Sequence, residues 1–182
     1  MTAPDARARA PRPSPAEPFD AAWLNDSSEF QRNAVSGQLN RSGLRVHYAL
    51  EEGEDGRPVV VTEWVPEEEH VGFPGVAHGG LVAAVFDDIM GRVAVLRRRW
   101  VVTARMEVRY RAAAPLGVPL RFEAWATRHR RRAMHAEGRA LLPDGTLVAE
   151  ASATYLPLTP DLERQMVEQW PGFAEFLGQD LL

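Results

Sequence analysis

Gly79-Gly-Leu-Val-Ala-Ala-Val-Phe-Asp87-Asp88-Ile-Met-Gly-Arg92-Val-Ala-Val-Leu96 is the longest apolar stretch of the chain, and the fold turns on how it is read. The run Leu81–Leu96 is long enough for about five helical turns. Its apolar residues go nearly all the way round the helix, so burial on most sides is required. Asp87, Asp88 and Arg92 interrupt it, and each would cost about 3 kcal/mol at a bilayer centre. The stretch is therefore expected to be the buried helix of a soluble domain, not a membrane span.

Strand patterns lie on both sides. Upstream, Leu44–Leu50 alternates apolar and polar residues and Arg57–Val65 is rich in Val and Trp, with the acidic turn Glu51–Gly56 between them. A loop with Gly72, Pro74 and Gly75 leads into the helix. Downstream, the segment Ala104–Arg111 has apolar even and charged odd positions, a period of two with one wet face. Leu120, Phe122, Ala124 and Ala126 repeat the pattern, as do Met134–Ala140 and Leu147–Tyr155, the last two joined by the turn Pro143-Asp144-Gly145. Short turns between long strands mean antiparallel pairing. The expected fold is α+β, in the order β-β-α-β-β-β-β, with one sheet wrapped around one helix. Residues 1–18, rich in Pro, Ala and Arg, read as a disordered tail, 19–158 as the domain, and 159–182 as a C-terminal helical extension starting at Thr159-Pro160-Asp161. A short helix is expected near Ala21–Arg32.

Composition narrows the chemistry. The 182 residues suit one domain. Cysteine is absent, which excludes disulfides, a thiolate nucleophile and cysteine-ligated zinc and permits a reducing compartment. All 21 basic residues are Arg, so Schiff-base and P-loop lysine chemistry are excluded as well. A net charge of −4 argues against a whole-surface nucleic-acid binder. His47, His70, His129 and His135 show no metal-ligand spacing, and no metal is expected.

His78-Gly79-Gly80 opens the helix, where orphan backbone N–H groups and the positive end of the dipole gather and glycines let a ligand come close. A glycine-rich packing turn capped by His78 is the alternative there. Asp88 has Arg92 four residues on and reads as a structural pair. Asp87 has Ala83, Ala84, Met90 and Gly91 around it and no local partner, so it reads as functional unless an arginine from another strand pairs with it. Gly79 and Asp87 are eight residues apart, about 12 Å along a helix. A reacting carbonyl needs both donor and base within about 3 Å. If both act on one substrate, the helix start of one subunit must face Asp87 of another, as in a two-fold dimer with composite sites.

Gly75-Val-Ala-His-Gly-Gly-Leu-Val-Ala-Ala-Val-Phe-Asp87, with Val102–Tyr110 and Asp144–Ala149, resembles the hotdog-fold acyl-CoA thioesterases of the PaaI-like type. The resemblance runs from about Asn33 to Leu158, and Ser36–Leu44 is similar to the region before the first strand in some relatives. It implies that the Gly79 N–H polarises a thioester carbonyl, that His78 and Gly80 shape that end of the site, and that Asp87 activates water or attacks the carbonyl itself. It implies that Thr103 orients the water or the carboxylate; by the strand's alternation Thr103 falls on the non-core face, which suits a subunit interface. It further implies a cytoplasmic homodimer, often paired into a tetramer, acyl-CoA bound between subunits, and no cofactor beyond the coenzyme A of the substrate. Gly72 departs from the pattern: several relatives have Asn or Gln there as an additional polar contact.

Two arginine clusters are left. Arg97-Arg98-Arg99 follows the helix, and Arg128, Arg130, Arg131 and Arg132 surround a hairpin tip. Each is either a solvated tip or an anchor for the nucleotide phosphates of coenzyme A. No aromatic interleaving accompanies them, which disfavours nucleic acid. The rival to a thioesterase is a catalytically silent hotdog domain that binds acyl-CoA or another apolar ligand. A dehydratase on the same fold conflicts with the separation of His78 and Asp87 within one chain.

Overall fold

The apolar run folds into α1 (Gly79–Val95), in which Val82, Val85, Phe86, Ile89, Met90 and Val93 are all buried. The computed structural model describes residues 31–96, 100–130 and 133–169, with only the backbone at 129 and 130. The expected tail, most of the helix expected at Ala21–Arg32, the arginines at 97–99 and 131–132, and the chain beyond Gln169 lie outside the described residues.

Six antiparallel strands curve around α1: β1 (Tyr48–Glu52), β2 (Pro58–Trp64), β5 (Val101–Tyr110), β6 (Leu120–Arg130), β7 (Ala133–Leu141) and β8 (Leu147–Pro157), in the spatial order β1-β2-β6-β7-β8-β5. The alternation decides which face of each strand is wet. Phe122, Ala124, Ala136, Ala140, Ala149, Ala151 and Ala153 face the helix and are buried. Such small side chains let the helix sit close to the sheet. Phe86 meets Phe122 edge-on, with ring centroids 5.0 Å apart, a preferred aromatic arrangement. Gly138 lies beneath this pair, and a Cβ there would stand 2.9 Å from the Glu123 carbonyl oxygen and 3.3 Å from the Phe86 ring. A helix α2 (Pro160–Gln169) follows β8, as its start signals predict.

Three details differ from the sequence reading. The alternation in Leu44–Leu50 is real, but its first half pairs outside the sheet: Leu44 and Val46 donate to the carbonyls of Ala34 and Val35, both at 3.1 Å. Arg45 has φ of 52°, which breaks the strand there, so β1 begins at Tyr48. The loop before α1 contains a small hairpin, β3 (Val71–Phe73) and β4 (Val76–Ala77), turned by Gly75 at φ 76°.

The third difference is Thr103. Thr103 pairs with Tyr155 and Arg105 with Thr154, so Ala104 is an extra residue in β5, a β-bulge. The bulge reverses the alternation upstream of it. Thr103 therefore points toward α1, not to the non-core face that uninterrupted alternation predicts, while Met106, Val108 and Tyr110 keep their predicted face. β6 has a second bulge at Thr127, between the pairs Ala126 with Ala136 and Arg128 with His135.

Candidate active site

His78 is the N-cap of α1, and its Nδ1 accepts the Gly80 N–H at 2.9 Å. A neutral imidazole whose Nδ1 accepts carries its proton on Nε2. The His78 carbonyl takes the Leu81 N–H at 2.9 Å, which fixes the peptide between His78 and Gly79 with its N–H directed out of the helix. The Gly79 N–H meets no acceptor among the described residues. On the other side of Gly79, the Tyr110 hydroxyl donates to the Gly79 carbonyl at 2.6 Å. The Gly79–Gly80 peptide is thus held at both edges, by His78 and by Tyr110. This matters because glycine peptides are otherwise the most mobile in the chain.

Gly72 packs directly against this cap. A Cβ at Gly72 would lie 2.5 Å from the His78 Cα, so with this backbone the position has no room for Asn or Gln.

Two turns further on, Asp87 and Asp88 have opposite surroundings. Asp88 is enclosed: it lies 3.6 Å from Arg92, accepts the Tyr48 hydroxyl at 2.5 Å and accepts the Asn33 amide at 3.2 Å. Arg92 is 5% exposed and also donates to Ser36 at 2.7 Å. Burial, with the charge of Asp88 beside it, pushes the Tyr48 hydroxyl well above its ordinary pKa and keeps it a donor. This is the structural pair expected from sequence, enlarged by three residues of the segment 33–48.

Asp87 has no cation partner among the described residues. Its Oδ1 accepts the Thr103 hydroxyl at 2.6 Å, and the Tyr155 hydroxyl lies 2.9 Å from its backbone carbonyl and 3.4 Å from Oδ1. Tyr155 is 2% exposed, and burial followed by the charge of Asp87 raises its pKa strongly, so it too stays protonated. Asp87 Oδ2 has no hydrogen-bond partner among the described residues. The carboxylate is held on one oxygen and open on the other.

His78, Gly79, Gly80, Asp87 and Thr103 thus fall into two groups along one face of α1, the helix start and the Asp87 centre. Tyr110 and Tyr155 belong to these groups and were not singled out from sequence. Tyr155 had a signal: it ends the row Ala149, Ala151 and Ala153, and a buried tyrosine hydroxyl must find a partner. The arginines at 97, 98, 131 and 132 lie outside the described residues, and of Arg130 only the backbone is described. No helix among the described residues is long and apolar enough to cross a membrane, and no three of their His, Asp or Glu side chains gather as metal ligands.

Residues 74–149 match the family model of the thioesterase superfamily, a span that contains both groups apart from Tyr155. The fold is a hotdog similar to that of PaaI. Among solved structures, the crystal structure of a thioesterase superfamily protein is 24% identical, with a TM-score of 0.62 over 69% of this chain and 60% of that one. The hotdog is similar also to a Streptococcus mutans protein bound to acetyl CoA, at 19% identity and a TM-score of 0.56, covering 66% of this chain and 95% of that one. The E. coli PaaI protein from the phenylacetic acid degradation operon is 13% identical, with a TM-score of 0.63 over 76% of this chain and 94% of that one. A search of curated proteins gives no match. In this hotdog α1 is the central helix, and the Asp87 centre lies between it and the β5–β8 edge.

Proposed function

We propose that the protein is a cytoplasmic acyl-CoA thioesterase that works as a homodimer with composite sites. The observation that carries this reading is the Asp87 carboxylate, oriented by Thr103 and Tyr155 with one oxygen open, on the same helix whose start presents the unaccepted Gly79 N–H. The thioester oxygen accepts the Gly79 N–H of one subunit. Asp87 of the partner subunit takes a proton from water as that water attacks the carbonyl carbon. The carbon–sulfur bond then breaks, and the proton held by Asp87 passes to the leaving sulfur, giving a free acid and the thiol of coenzyme A. No resident cofactor is needed.

About 12 Å of helix between Gly79 and Asp87 supports the dimer. So does β5, which pairs with β8 on one side only and exposes Val102 and Tyr110. A second copy adding to this edge would bring its own α1 alongside. Pairing of dimers into a tetramer is part of the same reading. Arg97 and Arg98, which follow α1 in sequence, and Arg130, Arg131 and Arg132 are proposed to meet the nucleotide phosphates.

Free-thiol release from short, long and aromatic acyl-CoA esters tests the activity. Release well above the spontaneous rate from at least one ester is expected. Ester binding without thiol release would replace the hydrolase with a ligand-binding hotdog.

A further inference from the structure

On the face of the sheet away from α1, four side chains form one cross-strand row: Arg128 of β6, His135 of β7, Thr154 of β8 and Arg105 of β5 are successive register partners. Continued alternation from Phe122, Ala124 and Ala126 would turn Arg128 toward the helix. The bulge at Thr127 places it on the outer face instead. Three interstrand spacings, about 14 Å, separate the two arginine backbones. Each arginine arm spans about half of that, so both guanidinium groups can close on one small group above His135 and Thr154. The row lines a groove of about 550 Å³, with Thr127 and Ser152 adding hydroxyls. That volume is within the range of small-molecule sites.

The charges in the row of Arg105 and Arg128 favour an anion. Arg128 forms no ion pair among the described residues. Arg105 shares Glu107 with Arg109, at 3.4 and 3.0 Å, so that carboxylate is already offset by two cations. Glu107 and Glu137 also line the groove, in the row of Ser152, about 7 Å along the strands from the row of the two arginines. In sequence Arg128 is followed, after His129, by Arg130, Arg131 and Arg132, a local excess of arginine in a chain of net charge −4. Thr154 Oγ1 and His135 Nδ1 lie 3.1 Å apart between the two arginines and supply hydrogen-bonding capacity at the centre.

We propose that this outer-face groove binds a phosphomonoester, with Arg105 and Arg128 gripping its oxygens from two sides and Thr154 and His135 hydrogen-bonding beneath. The sheet separates the groove from Asp87: Thr103 and Tyr155 face the helix while their chain neighbours Arg105 and Thr154 face outward. The site therefore stands whether or not the thioesterase reading does. The same phosphate chemistry could come from the 3′-phosphate of coenzyme A or from a separate phosphorylated ligand.

Calorimetric titration of the full chain with AMP, with adenosine as the phosphate-free control, tests the site directly. AMP should bind and adenosine should not. Arg105→Ala combined with Arg128→Ala should weaken AMP at least tenfold with unchanged circular dichroism, and added salt should weaken the wild type far more than the double variant. Glu137→Gln should bind AMP as well as the wild type or a few-fold more tightly, since a nearby negative charge is gone. Titration with coenzyme A and 3′-dephospho-coenzyme A then identifies the source. A preference for the 3′-phosphate that disappears in the double variant assigns the groove to the coenzyme. Loss of AMP binding with coenzyme A affinity unchanged assigns it to a separate ligand. Equal binding of AMP and adenosine, no AMP binding by the wild type, or wild-type affinity in the double variant each overturn the proposal.

Discussion

The Thr103 hydroxyl donates to Asp87 Oδ1 at 2.6 Å across the gap between β5 and α1. This contact orients the carboxylate without neutralising it, so its removal should be felt in turnover more than in binding. Thr103→Val is expected to lower kcat about tenfold with KM little changed, and Thr103→Ser to restore most of the loss. Steady-state kinetics on the best acyl-CoA of the panel decides. A rise in KM alone would move Thr103 from orientation to substrate contact.

The two adjacent carboxylates should separate activity from stability. Asp87→Asn should keep the melting temperature and reduce kcat at least about a hundredfold, the scale of losing a general base. Asp88→Asn should retain much of the activity and lose about 1–3 kcal/mol of stability, because Tyr48, Asn33 and the buried Arg92 all converge on that carboxylate. Thermal melts beside kinetics show which assignment holds; the reverse pattern would exchange the roles of Asp87 and Asp88.

Tyr110→Phe removes one of the two grips on the Gly79–Gly80 peptide while keeping the ring against Gly79. The expected result is a several-fold lower kcat. In an Asp87→Asn background with acyl-CoA bound, the infrared shift of the thioester carbonyl should shrink, because a looser Gly79–Gly80 peptide lets the adjoining Gly79 N–H turn away from the oxygen. An unchanged carbonyl band would leave Tyr110 a packing residue only.

Composite sites make a prediction that no single-chain site shares. Gly79→Pro removes the donor N–H and Asp87→Asn the base, and each homodimer should be nearly inactive. Co-refolded heterodimers contain one site with both lesions and one with neither, and should regain about half the activity of a normal dimer. Circular dichroism must first show that the Pro variant folds. Verified heterodimers as inactive as their parents would mean that the composite-site geometry is wrong and that Gly79 or Asp87 has another role.

Packing beneath the helix is tested at Gly138. Gly138→Ala puts a Cβ against the Glu123 carbonyl and the Phe86 ring, and a loss of about 1–3 kcal/mol is expected in denaturant titration.

Most of the architecture was legible because the hydrophobic periods are clean: the helix from Leu81 onward and the alternation in β6, β7 and β8 need only burial to be placed. The pairing of Asp88 with Arg92 was legible because it is local. Thr103 was assigned to the wrong face because a bulge is a property of two strands in register, and one strand's alternation contains no trace of it. β1 was started too early because Arg45 takes a positive φ between Leu44 and Val46, which bond to the distant segment at 34–35 and not to the sheet. Tyr110 and Tyr155 were passed over because they lie 31 and 68 residues from the groups they hold, and composition does not reveal such distant partners.

The bulge in β5 makes that strand behave like a text with one letter inserted. Ala104 is the extra letter: its deletion would bring Thr103 next to Arg105 in plain alternation, with Thr103 still opposite Tyr155 and every residue from Val101 to Tyr110 keeping its face. Deleting Val108 instead would shift the frame of everything on one side of it and exchange the helix-facing and outward-facing residues. A single-residue deletion scan of β5 should therefore keep the strand's facing only within the bulge, at residues 103–105, and that tolerance would mark where the strand's two frames meet.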